Sequence, residues 1–270
     1  MGSSAISLGL GLGGGKSATS SGGSPGGGGA FPNLLSGSFD GTNDMLDVAL
    51  ETTMFSGDFT LSFWCRPDAS TASFHTLMQL GEYSGGFRLY RYPNTSGAGS
   101  AGKLKWWKGE GGFSDIFGEF GNTSANTWFN MTIIRSGTVM TAYQDGDEVD
   151  TADTAHTGQA YSSKVWDISF TTYPFDGLMD EVAIWDEALS EANITALYDS
   201  KGDARALSPE YYWRMGDGTG DTNSSGASPA SGDTVGTVVN QGTANTGSGE
   251  GNAANSTAAN RPLYNDTVPS

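Results

Sequence analysis

The chain has 270 residues and a formal net charge of −17, with 13 Lys plus Arg against 30 Asp plus Glu. This acidic balance argues against nucleic acid and anionic membranes as partners, because both attract clustered basic residues. The chain also lacks the run of about 20 apolar residues that a membrane helix needs and the charged, apolar start of a signal peptide. We therefore expect a protein that is made in a cytoplasm and is long enough for one large domain with extensions.

Residues 1–30 form the first predicted region and consist mainly of Gly and Ser. This composition predicts a flexible linker. Within it, Ile6, Leu8, Leu10 and Leu12 alternate with Ser and Gly. That alternation would let a short extended strand dock one apolar edge on a partner. Both interpretations, linker and anchor, are open, and the second makes these four residues the candidate anchor.

Residues 31–200 read as a β-rich domain. Apolar residues fall on alternate positions in many short segments, and the turn signals Ser136-Gly137 and Asp145-Gly146 predict hairpins. The sole cysteine, Cys65, excludes an intrachain disulfide, and its apolar strand predicts a buried, inert thiol. The predicted strands are Thr60–Cys65, Thr76–Leu80, Gly86–Tyr90, Lys103–Lys108, Trp128–Ile134, Val139–Gln144, Ser163–Ser169 and Gly177–Trp185.

One short helix is predicted after the last of these strands. Ser190 is a suitable N-cap, and Leu189 and Ile194 are spaced for a hydrophobic staple around it. Leu197 and Tyr198 continue the apolar side. A single short helix among many strand and turn signals favours an all-β sandwich.

Residues 201–270 are predicted to form an extended, low-complexity tail with an aromatic anchor. The stretch that follows Tyr211, Tyr212 and Trp213 is rich in Gly, Ser, Thr, Asn and Ala. Leu263 and Tyr264 are further residues able to make a contact. We expect Tyr212 and Trp213 to pack on the chain's own domain, and residues 1–30 to meet a partner.

The strand and helix together carry a family resemblance. Phe175–Trp185 reads F-D-G-L-M-D-E-V-A-I-W, and Ala188–Tyr198 reads A-L-S-E-A-N-I-T-A-L-Y. This resembles the terminal signature of laminin-G-like, concanavalin-A-like lectin/glucanase domains, and Ser38–Val48 resembles their first strand. The resemblance implies an all-β fold, an antiparallel jelly-roll β-sandwich with one short helix and Gly-rich terminal extensions.

A second resemblance concerns the whole arrangement. The Gly-Leu-Gly head, the sandwich, the W-R-M-G-D segment from Trp213 and the R-P-L-Y-N-D-T-V-P-S end together look like virion structural proteins of tailed bacteriophages. This implies a virion location, a protein made in the host cytoplasm, and other virion subunits as partners. Residues 1–30 would make that contact, in a homo-oligomer or in many copies on the particle.

Catalysis is not expected. Glycoside hydrolases of the resembled group carry a Glu-x-Asp-x-Glu or Glu-x-Asp-x-x-Glu strand that places two carboxylates about 5 Å apart. The nearest match here is Glu148, Asp150 and Asp153, where the last Glu is replaced. The segment follows a turn and reads as an exposed edge strand. We therefore predict no catalytic residues and no enzyme activity.

Calcium is the only cofactor that the sequence suggests, and no cofactor is firmly predicted. Asp40 and Asp44 flank a turn near the start of the sandwich, and Asp176 and Asp180 flank another near its end. In jelly-roll relatives the first and last strands often pair, which would bring Asp40, Asp176 and Asp180 together around an ion. The alternative is that these residues only form turns by bonding their own backbone.

Glycan binding is the common non-enzymatic role of the resembled family. It would use exposed aromatic rings, for which Trp106, Trp107 and Phe113 are the candidates. The leading prediction is a non-enzymatic phage virion protein, either a capsid decoration or a fibre subunit. The alternatives are a carbohydrate-binding, lectin-like module for host-surface glycans and, third, a degenerate glycoside hydrolase.

Overall fold

The computed structural model describes residues 32–50, 54–68, 74–80, 87–93, 101–109, 113–115, 119–121, 123–153, 165–244, 251–255 and 257–270. The predicted anchor of Ile6, Leu8, Leu10 and Leu12 lies outside these residues. In the described part of the chain, no helix is long and apolar enough to cross a membrane.

Seventeen strands and one α-helix occur in the described residues. The helix, α1, covers Glu191–Asp199. The strands are β1 (Ser36–Asp40), β2 (Leu46–Ala49), β3 (Phe59–Pro67), β4 (His75–Leu80), β5 (Phe87–Arg91), β6 (Leu104–Gly109), β7 (Phe113–Asp115), β8 (Phe129–Ser136), β9 (Val139–Gln144), β10 (Asp147–Asp153), β11 (Val165–Ile168), β12 (Asp176–Trp185), β13 (Tyr211–Trp213), β14 (Thr222–Asn223), β15 (Val235–Val238), β16 (Ala253–Ala254) and β17 (Leu263–Asn265).

These strands form two antiparallel sheets. Sheet A has the order β10-β9-β8-β3-β12-β1-β17, with β13 also paired to β12. Sheet B has the order β14-β15-β16-β2-β11-β4-β5-β6-β7. The predicted all-β sandwich with one short helix is therefore confirmed. First and last strands of the predicted domain do pair, since Asp40 of β1 lies opposite Asp176 of β12.

The main core lies between the two sheets. Leu61, Phe63 and Cys65 of β3 are fully buried on one side, and Leu89 of β5 on the other. These apolar residues recur at every second position, so one face of each strand is buried in the core. The burial of apolar surface is the dominant favourable term in folding. Cys65 is fully buried, as predicted, and burial raises the pKa of its thiol.

Helix α1 covers the outer face of sheet A. The hydroxyl of Ser190 accepts a hydrogen bond from the Asn193 N–H at 3.3 Å, which confirms the predicted N-cap. Leu189 packs in a cluster with Leu197, whereas Ile194 packs on Ile134 and Tyr143. The helix is thus held by the sheet beneath it, and the predicted Leu189–Ile194 staple is replaced by these separate contacts.

The prediction of an extended tail over residues 201–270 is wrong. Strand β13 joins sheet A, β17 pairs with β1 at its edge, and β14, β15 and β16 extend sheet B from β2. Val235, Val238 and Ala253 lie in the core between the sheets. The Gly- and Asn-rich composition hid these strands, because strands of two to four residues are too short to show an alternation of apolar and polar positions.

Candidate ligand-binding face

The outer face of sheet B is the candidate site, because α1 covers the outer face of sheet A instead. Apolar residues of the central strands of sheet B point into the core, and the residues between them point outward. Asp47 lies between buried Leu46 and Val48, and Asp167 lies between buried Trp166 and Ile168. The alternation of the sequence therefore sends two carboxyl groups to the same outer face.

Strand register places four outward residues side by side, and we call them the polar row: Asp47, Asp167, Gln79 and Arg88. Asp167 is the Cα partner of both Asp47 and Gln79, and Gln79 is the partner of Arg88. The Arg88 Nε donates to Gln79 Oε1 at 2.7 Å. Each of the three residues other than Asp47 is at least nine-tenths buried, so the row forms a floor below the surface.

The two carboxyl groups of the polar row share one environment. Burial and the neighbouring Asp47 carboxyl together raise the pKa of Asp167 to about 7, and Arg88 opposes the shift. Burial also raises the pKa of Asp47. Oδ1 of Asp167 has no hydrogen-bond partner among the described residues. This oxygen is itself buried, so it does not reach the surface of the outer face.

Four aromatic residues lie together where β4 begins and β5 ends, and we call them the aromatic platform: Phe74, Tyr90, Tyr92 and Tyr173. The Phe74 ring contacts the rings of Tyr90, Tyr92 and Tyr173 with centroids 5.6, 5.0 and 5.8 Å apart. Phe74 is 36% and Tyr173 48% exposed. Tyr90 and Tyr92 follow at alternate positions, so the strand direction aims both rings at the same side.

The segment between β11 and β12 holds Tyr173 in place. Tyr173 has a φ of 64°, an unusual conformation for an aromatic residue. Its carbonyl accepts the Thr76 N–H at 2.7 Å, and the Thr76 hydroxyl donates to the Thr172 carbonyl at 3.1 Å. Ser169 Oγ accepts the Phe175 N–H at 3.0 Å. A strained backbone that is fixed by several hydrogen bonds is typical of a functional position.

The predicted sugar-stacking tryptophan is a core residue. Trp106 is 1% exposed and stacks on Phe87 with ring centroids 4.3 Å apart. It therefore cannot present a face to a ligand, and the prediction that Trp106 stacks on a sugar is wrong. The side chains of Trp107 and Phe113 lie outside the described part of the structure. The sequence gives little sign of the platform, because Phe74, Tyr90 and Tyr173 come from separate segments. The alternation of Tyr90 and Tyr92 was the one available signal.

The three predicted calcium ligands do not meet. Asp40 and Asp176 are Cα partners, but Asp180 lies four residues further along β12 opposite Trp64. Asp40 Oδ1 accepts the Thr42 N–H at 2.8 Å, as a turn-forming aspartate does. Among the described residues no three His, Cys, Asp or Glu side chains form a group that could hold a metal ion.

Asp180 belongs instead to a buried network at an irregularity of β12. The register of β12 against β3 shifts after Asp180, and Glu181 has a φ of 48°. Glu181 accepts hydrogen bonds from the Tyr212 hydroxyl and, at 3.4 Å, from Arg214 Nε. The Arg214 guanidinium also donates to the Pro32 carbonyl at 2.8 Å. This network joins β12 to the C-terminal strands and leaves no opening for a ligand, since Asp180 and Glu181 are at most 1% exposed.

The predicted hydrolase-like segment is at the edge of sheet A. Glu148 is exposed on β10, and its Oε1 accepts the Thr151 hydroxyl at 2.6 Å. The register of β10 shifts between Glu148 and Asp150. A bulge at an exposed edge does not build the paired carboxylates of a retaining glycosidase. The side chain of Asp153 lies outside the described residues.

A cleft of about 590 Å³ lies elsewhere, between Leu34 and Leu35 just before β1 and the segment that follows β13. Its two carboxylates are occupied by the backbone. Asp217 Oδ2 accepts the Leu34 N–H, and Asp221 Oδ2 accepts the N–H groups of Gly216 and Gly218 at 2.9 and 3.0 Å. Glycines and small side chains line most of the rest, so the cleft offers little for recognition compared with the aromatic platform.

Comparisons with known proteins agree on the fold. The family model for the concanavalin A-like lectin/glucanases superfamily, Laminin_G_3, matches residues 40–195, more than half of the chain. A provisionally assigned carbohydrate-binding protein from Bacteroides ovatus has a similar structure, with 16% identity and a TM-score of 0.61 over 88% of this chain and 61% of that one. This chain thus spans less than two thirds of the Bacteroides protein.

Two weaker structural matches follow. A heptameric pentraxin from Limulus polyphemus shares 14% identity over 62% of this chain and 82% of that one, with a TM-score of 0.46. Domain 4 of an extracellular arabinanase from Geobacillus stearothermophilus, solved with arabinotriose, shares 18% identity over 53% of this chain and 66% of that one, with a TM-score of 0.42. The sequence matches no curated protein.

Proposed function

The chain belongs to the concanavalin A-like lectin/glucanases superfamily, and from this premise we propose that it is a carbohydrate-binding module that holds a glycan on the aromatic platform. The platform is the observation that carries the proposal. It is the place in the described structure where four aromatic rings contact one another and two of them are more than a third exposed. Exposed apolar clusters of this kind mark binding sites.

The chemistry of the platform suits a sugar. A pyranose ring has an apolar face of C–H groups and a rim of hydroxyl groups. Aromatic rings bury the apolar face, and tyrosine hydroxyls exchange hydrogen bonds with the rim. Tyr90, Tyr92 and Tyr173 supply three such hydroxyls around Phe74. Few other side chains combine both properties at a low cost in conformational entropy.

The platform is also ordered before a ligand arrives. Hydrogen bonds from Thr76 fix the backbone on both sides of Tyr173, and Phe74 supports the ring by an edge contact at 70°. Binding to a fixed surface loses less conformational entropy than binding to a loose one. This supports a site that is built for recognition and not a chance exposure of one tyrosine.

The platform rings are not parallel, which favours short soluble glycans over flat crystalline polymers. Interplanar angles between the contacting rings range from 53° for Tyr90 and Tyr92 to 88° for Phe74 and Tyr90. Tilted rings enclose one or two sugar units from the side, whereas a crystalline surface requires coplanar rings. The proposal is for binding without hydrolysis, because Glu148 and Asp150 lie on a bulged edge of the other sheet.

The virion assignment stays a prediction. It rests on the low-complexity head and on the end of the chain, and glycan binding does not depend on it. The same holds for virion subunits as partners and for several copies on a particle. Calcium at Asp40, Asp176 and Asp180 together is not proposed again, since β12 separates Asp180 from the other two.

The test is a glycan array followed by calorimetry on the strongest neutral oligosaccharide. We expect Tyr173→Ala to lower the affinity at least tenfold, because it removes a ring that is 48% exposed. The matched control is Leu263→Ala, which removes an apolar side chain that is 44% exposed at the edge of sheet A. Equal affinity of the Tyr173 variant and the wild type, with unchanged melting temperatures, would overturn the platform as the site.

A further inference from the structure

The side of the aromatic platform that borders β6 is basic. Lys103 and Lys105 lie on either side of Leu104, which is buried in the core, so both lysines point to the outer face of sheet B. Lys105 is the Cα partner of Tyr90, and the Tyr92 N–H donates to the Lys103 carbonyl at 2.8 Å. Cross-strand neighbours have Cβ atoms about 4.5–5.5 Å apart, so each of these two tyrosines has a lysine beside it.

This basic edge is unusual for such an acidic chain. The chain has six lysines, and three of them, Lys103, Lys105 and Lys108, lie within six consecutive residues, although the net charge is −17. Half of the lysines therefore occur in the segment that borders the platform, and two of them lie on the platform's own face.

Lys103 is the lysine whose charge is open to a ligand. The antiparallel bridge that Leu104 makes on the other side of the strand puts exposed Glu119 next to Lys105. The corresponding neighbour of Lys103 is Gly121, which has no side chain. The Lys103 ammonium makes no hydrogen bond or ion pair with any described residue. Lys103 is half-buried, so its aliphatic stem covers neighbouring surface while the charge stays in water.

The nearby acids leave the charge of Lys103 uncompensated. Asp167 lies on β11, three strands from β6 in sheet B, which is about 14 Å at the usual strand spacing. Charges this far apart are largely screened at physiological salt, where the Debye length is about 8 Å. Asp68 and Asp176, at the same end of the sandwich as the platform, belong to sheet A, and Asp68 already binds Arg66 at 3.2 Å.

We infer that Lys103 gives the platform a preference for glycans that carry an anionic group, a carboxylate or a sulfate, on the sugar unit beside Tyr92. This inference rests on the proposed function, because it names the glycan class that the same face takes. The apolar face of the sugar lies on the rings, and the anionic group on its rim meets the ammonium. A lysine ammonium is a compact point charge, so it pairs with either anion without the planar geometry that arginine requires.

Calorimetry on the full chain compares acidic oligosaccharides with uncharged forms of the same length and linkage. One arm uses uronic acid oligosaccharides and their methyl esters, and the other uses sulfated oligosaccharides and their desulfated forms. We expect an acidic form to bind about threefold more tightly than its uncharged form at about 150 mM salt, the effect of one partly exposed ion pair. The advantage should disappear at about 1 M salt. The arm that shows the preference identifies the anion.

Variants of Lys103 assign the preference to this side chain. Lys103→Gln should bind the acidic and the uncharged form equally, with an unchanged affinity for the uncharged form, whereas Lys103→Arg should keep the preference. The matched control is Lys201→Gln, which changes the net charge equally. Lys201 lies over the rings of Trp64 and Tyr198 on the side of sheet A, so this variant should keep the wild-type preference.

Two results would overturn the inference and leave the proposed function intact. The first is a wild type that binds every acidic form no more tightly than its uncharged form, while Tyr173→Ala still loses affinity for the uncharged form. The second is a preference that Lys103→Gln retains, which places the selective charge elsewhere. If the wild type binds none of these oligosaccharides, the proposed function falls together with this inference.

Discussion

The hydroxyl of Tyr212 donates a hydrogen bond to the carboxylate of Glu181, across 31 residues of sequence and in a fully buried environment. Glu181 lies at the irregularity of β12, just where that strand exchanges β1 for β13 as its neighbour. The bond therefore fixes the C-terminal residues to the strand that carries the family signature. Gly202 completes the arrangement, because a Cβ there would lie 2.7 Å from the Glu181 Cβ.

We predict that Tyr212→Phe lowers the free energy of unfolding by about 1–3 kcal/mol, because it leaves a buried oxygen of the Glu181 carboxyl group without its donor. Urea unfolding that is followed by tryptophan fluorescence measures the change. Tyr173→Phe removes an exposed hydroxyl and should stay within about 0.5 kcal/mol of the wild type. Equal losses in the two variants would contradict the role of the Glu181 bond.

Stability should fall as the pH rises through the mildly acidic and neutral range. Burial raises the pKa of Glu181 to about 8, with Arg214 and Tyr212 opposing it, and burial and Glu181 raise the pKa of Asp180 well above its usual value. The folded protein thus holds protons that the unfolded chain releases above pH 4.5. Because the unfolded state then binds fewer protons, the unfolding free energy decreases between about pH 4.5 and 8.

Chemical unfolding at pH 5.5 and pH 8 measures this slope. Asp44 and Asp221, each with a pKa raised to about 6 by burial, contribute in the same direction at the lower end of the range. Asp180→Asn should flatten the slope, since one of the shifted groups no longer titrates, and Asp186→Asn should not. A protein that becomes more stable between pH 5.5 and 8 would refute the prediction.

Trp213→Ala tests whether the C-terminal segment serves the fold or an assembly. The Trp213 ring is fully buried, packs on Trp166 and Tyr211, and donates to the Gly251 carbonyl at 2.7 Å. We expect the isolated chain to lose about 3–5 kcal/mol of stability. A variant that unfolds like the wild type but fails to oligomerise would place Trp213 at an interface between subunits instead.

Asp40→Ala distinguishes a turn from a metal ligand. Asp40 Oδ1 caps the Thr42 N–H, and Asp44 Oδ2 in turn accepts the Asp40 N–H at 3.0 Å. The variant should lose about 0.5–1.5 kcal/mol, the usual effect of one hydrogen bond. The loss should be the same with excess calcium and with a chelator. A loss that appears only with calcium would return Asp40 to the candidate ligands.

The sequence by itself determined the sandwich, its helix and its buried cysteine. Alternating apolar residues, Gly-containing turns and the Ser190 cap act over a few neighbouring positions, so their physical consequences can be read locally. The same local patterns did not predict the strands in residues 201–270. There the chain bonds to strands more than 150 residues away, as β16 does with β2 and β17 with β1, and short Gly- and Asn-rich segments give little sign of their partners.

Only the tertiary structure decided which aromatic residues are available to a ligand. Trp106 and Tyr90 both alternate along strands of sheet B, but register turns Trp106 into the core and Tyr90 outward next to Phe74. Likewise Asp47 and Asp167 become neighbours through pairing of β11 with β2, 120 positions apart. Local periodicity shows only that a side chain lies on one of the two faces of its strand. Which face is buried, and what lies beside it, depends on strands that meet only when the whole chain has folded.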